Sequence, residues 1–458
     1  MTSDNIHPAS FRDPGGFIFT KSGRLYRQIN LSCRDDYDHL ASSGLLEKLT
    51  SQGFLVPHEE ADIALAQTGD AYKVIEPELV PFISYPYEWS FSQLKDSALL
   101  TLNVQKQSFE AGMSLKDCSA YNIQFIDGRP VLIDTLSFEK YVEGSPWVAY
   151  RQFCQHFLAP LALMSMRDVR LGRLSQLFID GVPLDMASSL LGFGSYFRFS
   201  LLTHIHLHAK SQKRFNAKAY DTGARKMSPV SFLGLIDNLE RAIEKLTWTA
   251  DSEVWADYYD HTNYSEESFE DKKEIVNEYL SIISPSNVWD IGGNVGLFSR
   301  IPAKLGINTV SFDVDSAAVE RNYLECKKEG DRNLLPLVLD LSNPSPGIGW
   351  EHSERESIIA RAPADMVFAL ALIHHLAIAN NVPLNKIARF FSRICSSLLV
   401  EFVPKEDSQV KRLLSTREDI FPGYNRPSFE DEFEKYFTIE KSRNIRGSAR
   451  TLYLMRKK

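Results

Sequence analysis

The stretch VWDIGGNVGLFS, Val288 to Ser299, decides how the second half of the chain is read. It opens as a buried strand carrying one acid, Asp290, and runs into a loop of Gly292, Gly293, Asn294 and Gly296 before an apolar run suited to a helix. A chain that turns tightly while a ligand and a helix N-terminus press on bare backbone needs glycine at Gly292 and Gly296. Twenty-one residues beyond Gly292, at the end of the next strand-like run, VSFDVD, stands Asp313. An acid there accepts hydrogen bonds from both hydroxyls of a ribose.

Outward from this loop the pattern is regular. Helical EDKKEIVNEYLSII precedes NVWDIG, and TVSFDV, LLPLVLDL, ADMVFALAL and SLLVEFVP follow as strands separated by helical runs such as PLNKIARFFSRI. Strands alternating with helices at this spacing build a parallel sheet covered on both faces. YFTIEKS and RTLYLMR then add an antiparallel edge.

The loop reads DxGxNxG rather than the GxGxxG of dinucleotide sites, and the leading acid would repel a pyrophosphate. It would instead orient a charged amino-acid moiety. In these residues the chain resembles class I S-adenosylmethionine-dependent methyltransferases over about residues 250 to 458. The resemblance implies an α/β fold with a Rossmann-like seven-stranded sheet and S-adenosyl-L-methionine as cofactor. It implies Asp290, Gly292, Gly293, Asn294 and Gly296 as the cofactor loop, Asp313 as the ribose ligand and Asp340 of LVLDL as an adenine-side contact. Asn294 departs from the family by replacing the middle glycine. Upstream, VWADYYDHTNYSEESFEDKKEIV looks like the lead-in helix laid over the cofactor, with Tyr264 closing that pocket.

The run ADMVFALALIHHLAIAN puts His374 and His375 at the carboxyl end of the fourth strand, where open α/β sheets bind substrates. Histidine titrates near neutrality, so either would take a proton from a substrate hydroxyl or acidic carbon during methyl transfer. The competing reading has one capping the helix and the other packing under the cofactor. The Asn/Asp-Pro-Pro-Tyr/Phe pattern of amino-methylating relatives does not occur, which favours O- or C-methylation.

The N-terminal half offers a second constellation. Residues 114–134, SLKDCSAYNIQFIDGRPVLID, form a polar loop, a strand, an Asp127-Gly128 turn and a strand ending in an acid. Asp117, Asn122 and Asp134 there resemble the catalytic loop and metal-binding acid of protein-kinase-like phosphotransferases. The resemblance implies Asp117 as a catalytic residue, and Asn122 and Asp134 as ligands of magnesium with ATP, if that site is active. Arg27 or Lys21 would then face the phosphates, with Glu47 on the helix. The histidine before Asp117, the glycine after Asp134 and a phosphate-gripping glycine loop are all missing. The expected result is an α+β domain, degenerate and kinase-like, that selects or presents substrate without transferring phosphate. His204, His206 and His208 are spaced to line one side of a strand, as metal ligands would be, yet have no acidic or thiol partner nearby.

Composition bounds the rest. The 458 residues suit two domains, and 44% apolar with 24% charged content is ordinary globular composition. The boundaries expected are 1–245, with a small lobe about 1–85 and a helical lobe about 86–245, and 250–458. KSQKRFNAKAYDTGARKMSPVS reads as an exposed loop or linker. A net charge of −8 argues against bulk nucleic acid as a partner and leaves a small molecule, a glycan or a protein as acceptor. Five scattered cysteines, the lack of a signal-like N-terminus and the lack of an ~18-residue apolar run point to a cytoplasmic protein without a membrane span. The function expected is methyl transfer. The alternatives are a bifunctional phosphotransferase-methyltransferase and a non-catalytic cofactor-binding regulatory protein.

Overall fold

The computed structural model describes residues 6–210, 226–249, 265–415 and 418–458. Its contacts divide the chain into two units, Met1–Thr249 with Ile348–Arg355, and Ala250–Gly347 with Glu356–Lys458. The first unit thus includes eight residues that the sequence alone had placed in the second domain. Within it Arg12 donates to both carboxylate oxygens of buried Glu354, at 2.6 and 2.9 Å. The Arg355 guanidinium lies 4.6 Å from the centre of the Tyr121 ring, and Ile348 packs on Tyr85, Tyr87 and Tyr121.

The first unit opens with the antiparallel hairpin β1 (Gly16–Lys21) and β2 (Arg24–Asn30). Ser22 and Gly23 turn it with φ of 52° and 77°, the left-handed pair such a tight turn requires. β3 (His58–Ala61) and β4 (Ala71–Pro77) complete a four-stranded sheet in the order β1-β2-β4-β3. Two helices follow β2, Arg34–Ser42 and Leu45–Ser51, separated at Gly44, whose φ is 76°. Leu40, Leu45 and Leu49 are buried.

The helix Phe91–Glu110 is started by a capping box between Ser90 and Gln93 and is followed by Gly112 at φ 71°. It packs against the helix Pro229–Lys245 through Phe109 and Phe232, whose rings stack at 4.4 Å. Four short strands follow it, β5 (Met113–Leu115), β6 (Ile123–Ile126), β7 (Arg129–Leu132) and β8 (Phe138–Lys140). β5 pairs with β8 and β6 with β7, both antiparallel, so residues 116–122 and 133–137 become the connections between two nested pairs. Most of the polar stretch expected as a linker, residues 211–225, lies outside the described residues.

The second unit is a seven-stranded sheet. β9 (Asn287–Ile291), β10 (Asn308–Asp313), β11 (Leu334–Val338), β12 (Ala364–Ala369) and β13 (Cys395–Phe402) run parallel. β14 (Phe437–Asn444) and β15 (Thr451–Lys457) supply the antiparallel edge, in the order β11-β10-β9-β12-β13-β15-β14. The chain proceeds outward from β9 to β11 and then returns to place β12 on the other side of β9. That reversal opens a crevice at the carboxyl ends of the strands. The helix Glu266–Ile283 covers one face, burying Ile275, Val276, Tyr279 and Leu280 against Val288, Met366, Phe368 and Leu399. The architecture is the α/β, Rossmann-like seven-stranded sheet expected. Among the described residues no helix is long and apolar enough to cross a membrane.

Candidate cofactor site

A cavity of about 250 Å³ occupies the crevice. Four strand ends supply its walls: Asp290 and Ile291 of β9 with Gly292–Asn294, Asp313 and Val314 at β10, Leu339–Ser342 after β11, and Leu370–Leu372 after β12. Residues far apart in sequence meet here because each follows a parallel strand.

Asp290 is fully buried. Its Oδ2 accepts from Ser299 Oγ at 2.6 Å, while Oδ1 has no hydrogen-bond partner. Burial pushes its carboxyl up to about 6, against the Ser299 hydrogen bond and the nearby Lys272 ammonium. A buried carboxylate oxygen without a donor costs free energy, so this wall is complementary to a ligand cation that donates hydrogen bonds.

Asp313 accepts the backbone N–H of Asn294 at 2.8 Å and that of Asp315 at 2.9 Å. Burial again raises its carboxyl to about 6 in spite of those bonds. Asp340 lines the cavity and is held by Ser342, whose N–H and Oγ donate to Oδ1 at 2.9 and 2.6 Å.

The loop explains its own residue types. Gly292 takes φ 83°, and a Cβ there would lie 3.4 Å from Leu372 inside the cavity wall. Asn294 takes φ 50°, the left-handed conformation that asparagine adopts more readily than most residues, so its departure from the glycine pattern keeps the backbone the loop needs. Gly296, expected as part of the cofactor loop, does not line the cavity. Its φ is 80°, and a Cβ would stand 2.5 Å from the Asn322 side chain, so glycine is required there by packing. Tyr264 lies outside the described residues.

The two histidines separate. His375 lines the cavity, whereas His374 is fully buried behind it and neither ring nitrogen has a hydrogen-bond partner. Burial lowers both rings, His374 farther with His375 and Arg450 also opposing its charge, so each is neutral near pH 7. Of the two histidines expected as catalytic, His375 reaches the cavity and His374 does not. Between these elements Ala371, another wall residue, holds φ 51°, a strained value for a residue with a side chain.

Sequence reasoning missed Lys272, Phe298, Val314, Ser342 and Asn380, all of which line the cavity. For Lys272 the signal was present: it stands three, four and seven residues before Ile275, Val276 and Tyr279, on the face of its helix that is buried.

In the first unit Asn122 and Asp134 are brought together. Asn122 Nδ2 donates to Ser137 Oγ at 3.3 Å, and Ser137 Oγ donates to Asp134 Oδ2 at 2.6 Å. Asp134 also accepts from Leu136 N at 3.1 Å and is paired with Arg27 of β2. Burial opposes the charge of Asp134, but Arg27, Ser137 and Leu136 together hold its carboxyl below the usual range. Asp117 makes none of these bonds and instead accepts from Ser119 N at 2.9 Å and Gln152 Nε2 at 2.7 Å. Glu47 is exposed on its helix and forms no partner to Arg27. Both carboxylate oxygens of Asp134 thus accept from protein donors, and no group of three acidic, histidine or cysteine side chains suited to a metal occurs among the described residues. His204 bonds Tyr150 and Asn238, and His206 bonds Ser188 and Ser195, so these histidines are tied into the helical part by hydrogen bonds rather than grouped as ligands.

Compared with known proteins, the chain is 34% identical over 452 residues to the nodulation protein NoeA of Rhizobium meliloti (strain 1021), covering 97% of this chain and 94% of that one. No family model matches it. Among solved structures it is similar to the bifunctional kinase-methyltransferase WbdD, at 17% identity over 47% of this chain and 45% of that one, with a TM-score of 0.30. The N-methyltransferase NodS from Bradyrhizobium japonicum WM9 aligns at 12% identity over 42% of this chain and 98% of that one, TM-score 0.30. Magnesium protoporphyrin IX methyltransferase (ChlM) from Synechocystis PCC 6803 with bound SAH aligns at 14% identity over 44% and 93%, TM-score 0.31.

Proposed function

We propose, from the premise that the chain belongs to the family of the nodulation protein NoeA, that it is an S-adenosylmethionine-dependent methyltransferase whose second unit binds the cofactor and whose first unit selects or presents the acceptor. The observation that carries this reading is the unpartnered Asp290 Oδ1 on the wall of a cavity that also holds Asp313. A ligand ammonium satisfies Asp290, and the ribose farther along the same ligand has Asp313 as its hydroxyl acceptor. Gly292 leaves room beside the backbone at Leu372, Gly293 is required by the close approach of Ser311 Oγ, and Asp340 stands farther along the wall for the base.

S-adenosylmethionine supplies an electrophilic methyl group on a sulfonium. The chain's own residues bind, orient and exclude water. His375, neutral near pH 7, is the cavity residue able to accept a proton from an acceptor hydroxyl or acidic carbon. Leu370, Leu372 and Leu376 give it an apolar surround, in which proton transfer is not diverted to bulk solvent. The acceptor is a small molecule, a glycan or a protein group methylated at oxygen or carbon, and we place the reaction in nodulation, the process for which the relative is named. In the first unit, Asp134 neutralised by Arg27 supports a positioning role rather than phosphate transfer.

Thermal unfolding of the full-length protein tests the binding half of this reading. S-adenosylhomocysteine at about 100 times its Kd should stabilise the fold by about 2.7 kcal/mol and raise Tm. An unchanged Tm at millimolar ligand counts against it.

A further inference from the structure

Lys272 and Asp290 line the same cavity with opposite charge. Lys272 is 3% exposed, donates from Nζ to Glu401 Oε2 at 2.7 Å, and stands 4.4 Å over the centre of the Phe298 ring, itself part of the wall. Glu401 is fixed in turn by Arg450 Nη1 at 3.3 Å, and Arg450 is held by Asp407 through Nε at 2.8 Å and Nη2 at 3.2 Å. All four side chains are buried or nearly so. A lysine with its stem packed on an apolar helix face and its head held by a buried carboxylate keeps a defined position, unlike a surface lysine.

Both charged groups at this end of the cavity are buried in its wall. Burial lowers the Lys272 ammonium in spite of Glu401, and raises the Asp290 carboxyl in spite of Ser299 and Lys272. One wall group accepts a cation and the other an anion, which together describe the two charges of an α-amino acid zwitterion.

We propose that Lys272 is the counter-ion for the α-carboxylate of the cofactor's amino-acid moiety, making it a specificity-determining residue against nucleosides that lack that carboxylate. The Glu401, Arg450 and Asp407 side chains are positioning residues that keep the ammonium on the cavity wall. This inference rests on the cofactor reading above and extends it to a residue outside the glycine loop.

Isothermal titration of the full-length protein with S-adenosylhomocysteine and with 5′-methylthioadenosine, which has no amino-acid moiety, tests it. In Lys272→Met the affinity for S-adenosylhomocysteine should fall by about tenfold or more, as for loss of a charge-assisted pair, while that for 5′-methylthioadenosine should stay within about twofold. Because Lys272→Met leaves Glu401 buried without its partner, the double variant Lys272→Met with Glu401→Gln is measured as well, and the same selective loss is expected. Retained affinity for S-adenosylhomocysteine, or an equal fall for both nucleosides, in the folded variants overturns this inference alone. A wild-type protein that binds neither nucleoside overturns the cofactor reading itself and this inference with it.

Discussion

Asn294 donates its backbone N–H to Asp313 Oδ2 at 2.8 Å, so the acid that ends β10 also pins the loop that follows β9. One side chain therefore serves both the shape of the loop and the ribose it would hold. Asp313→Ala removes the acceptor for Asn294, for Asp315 and for two ligand hydroxyls. Bonds to a charged group are worth about 1.5 to 3 kcal/mol each, so the affinity for S-adenosylhomocysteine should fall at least tenfold by titration calorimetry. Unchanged affinity in the folded variant contradicts the assignment.

Gly292 and Gly296 should respond differently to substitution. Gly292→Val forces a branched residue to φ 83° and fills space at Leu372, so it should abolish nucleoside binding. Gly296→Ala drives its Cβ toward Asn322, and should lower the urea midpoint by the equivalent of ~1 to 3 kcal/mol, mainly as a folding defect. Equal effects of the two on binding and stability would show that neither position is specialised.

The acids of the cavity set a pH dependence. Asp290 and Asp313 titrate near 6 in the folded chain, against about 3.9 for an unfolded one. An acid raised on folding stabilises the fold fully below its unfolded value, and that contribution is lost as pH rises through its folded value. The ligand-free protein should thus lose stability from these groups between roughly pH 4 and 7. Asp290→Asn should then be more stable than wild type at pH 8, by roughly 1 to 3 kcal/mol, and not at pH 4. Cofactor affinity runs the opposite way, rising with pH as the carboxylates ionise. Denaturant titrations of both proteins at the two pH values check the sign.

Asp134 is expected to be structural. Asp134→Asn leaves Arg27 facing a neutral group and should destabilise the first unit by roughly 1 to 3 kcal/mol, while the affinity for S-adenosylhomocysteine is unchanged. Calorimetric unfolding and titration read the two effects separately. ATP hydrolysis by wild type that disappears in this variant would instead establish a phosphotransferase.

Much of this was legible because glycine loops and strand ends are local signals. Gly292, Asp290 and Asp313 announce themselves by spacing, and the alternation of apolar strands with helices gives the sheet. What stayed hidden depends on three-dimensional neighbours. Gly296 reads as a cofactor glycine until Asn322 is seen beside it. The split between His374 and His375 depends on which way a helical turn after β12 faces, which a two-residue repeat does not encode. Lys272 was masked by lying among charged residues, although its apolar helical neighbours mark a buried position. Residues 348–355 carry no compositional sign that Glu354 joins Arg12 in the first unit, because an ion pair between residues more than 340 positions apart has no local periodicity.

The most direct measurement is a crystal structure of the full-length protein grown with S-adenosylhomocysteine. The ligand ammonium should lie within hydrogen-bond distance of Asp290 Oδ1, about 2.7 to 3.2 Å, with both ribose hydroxyls on Asp313. Ligand density elsewhere in the molecule, or an empty cavity from crystals grown at saturating ligand, would contradict the assignment of this site to S-adenosylmethionine.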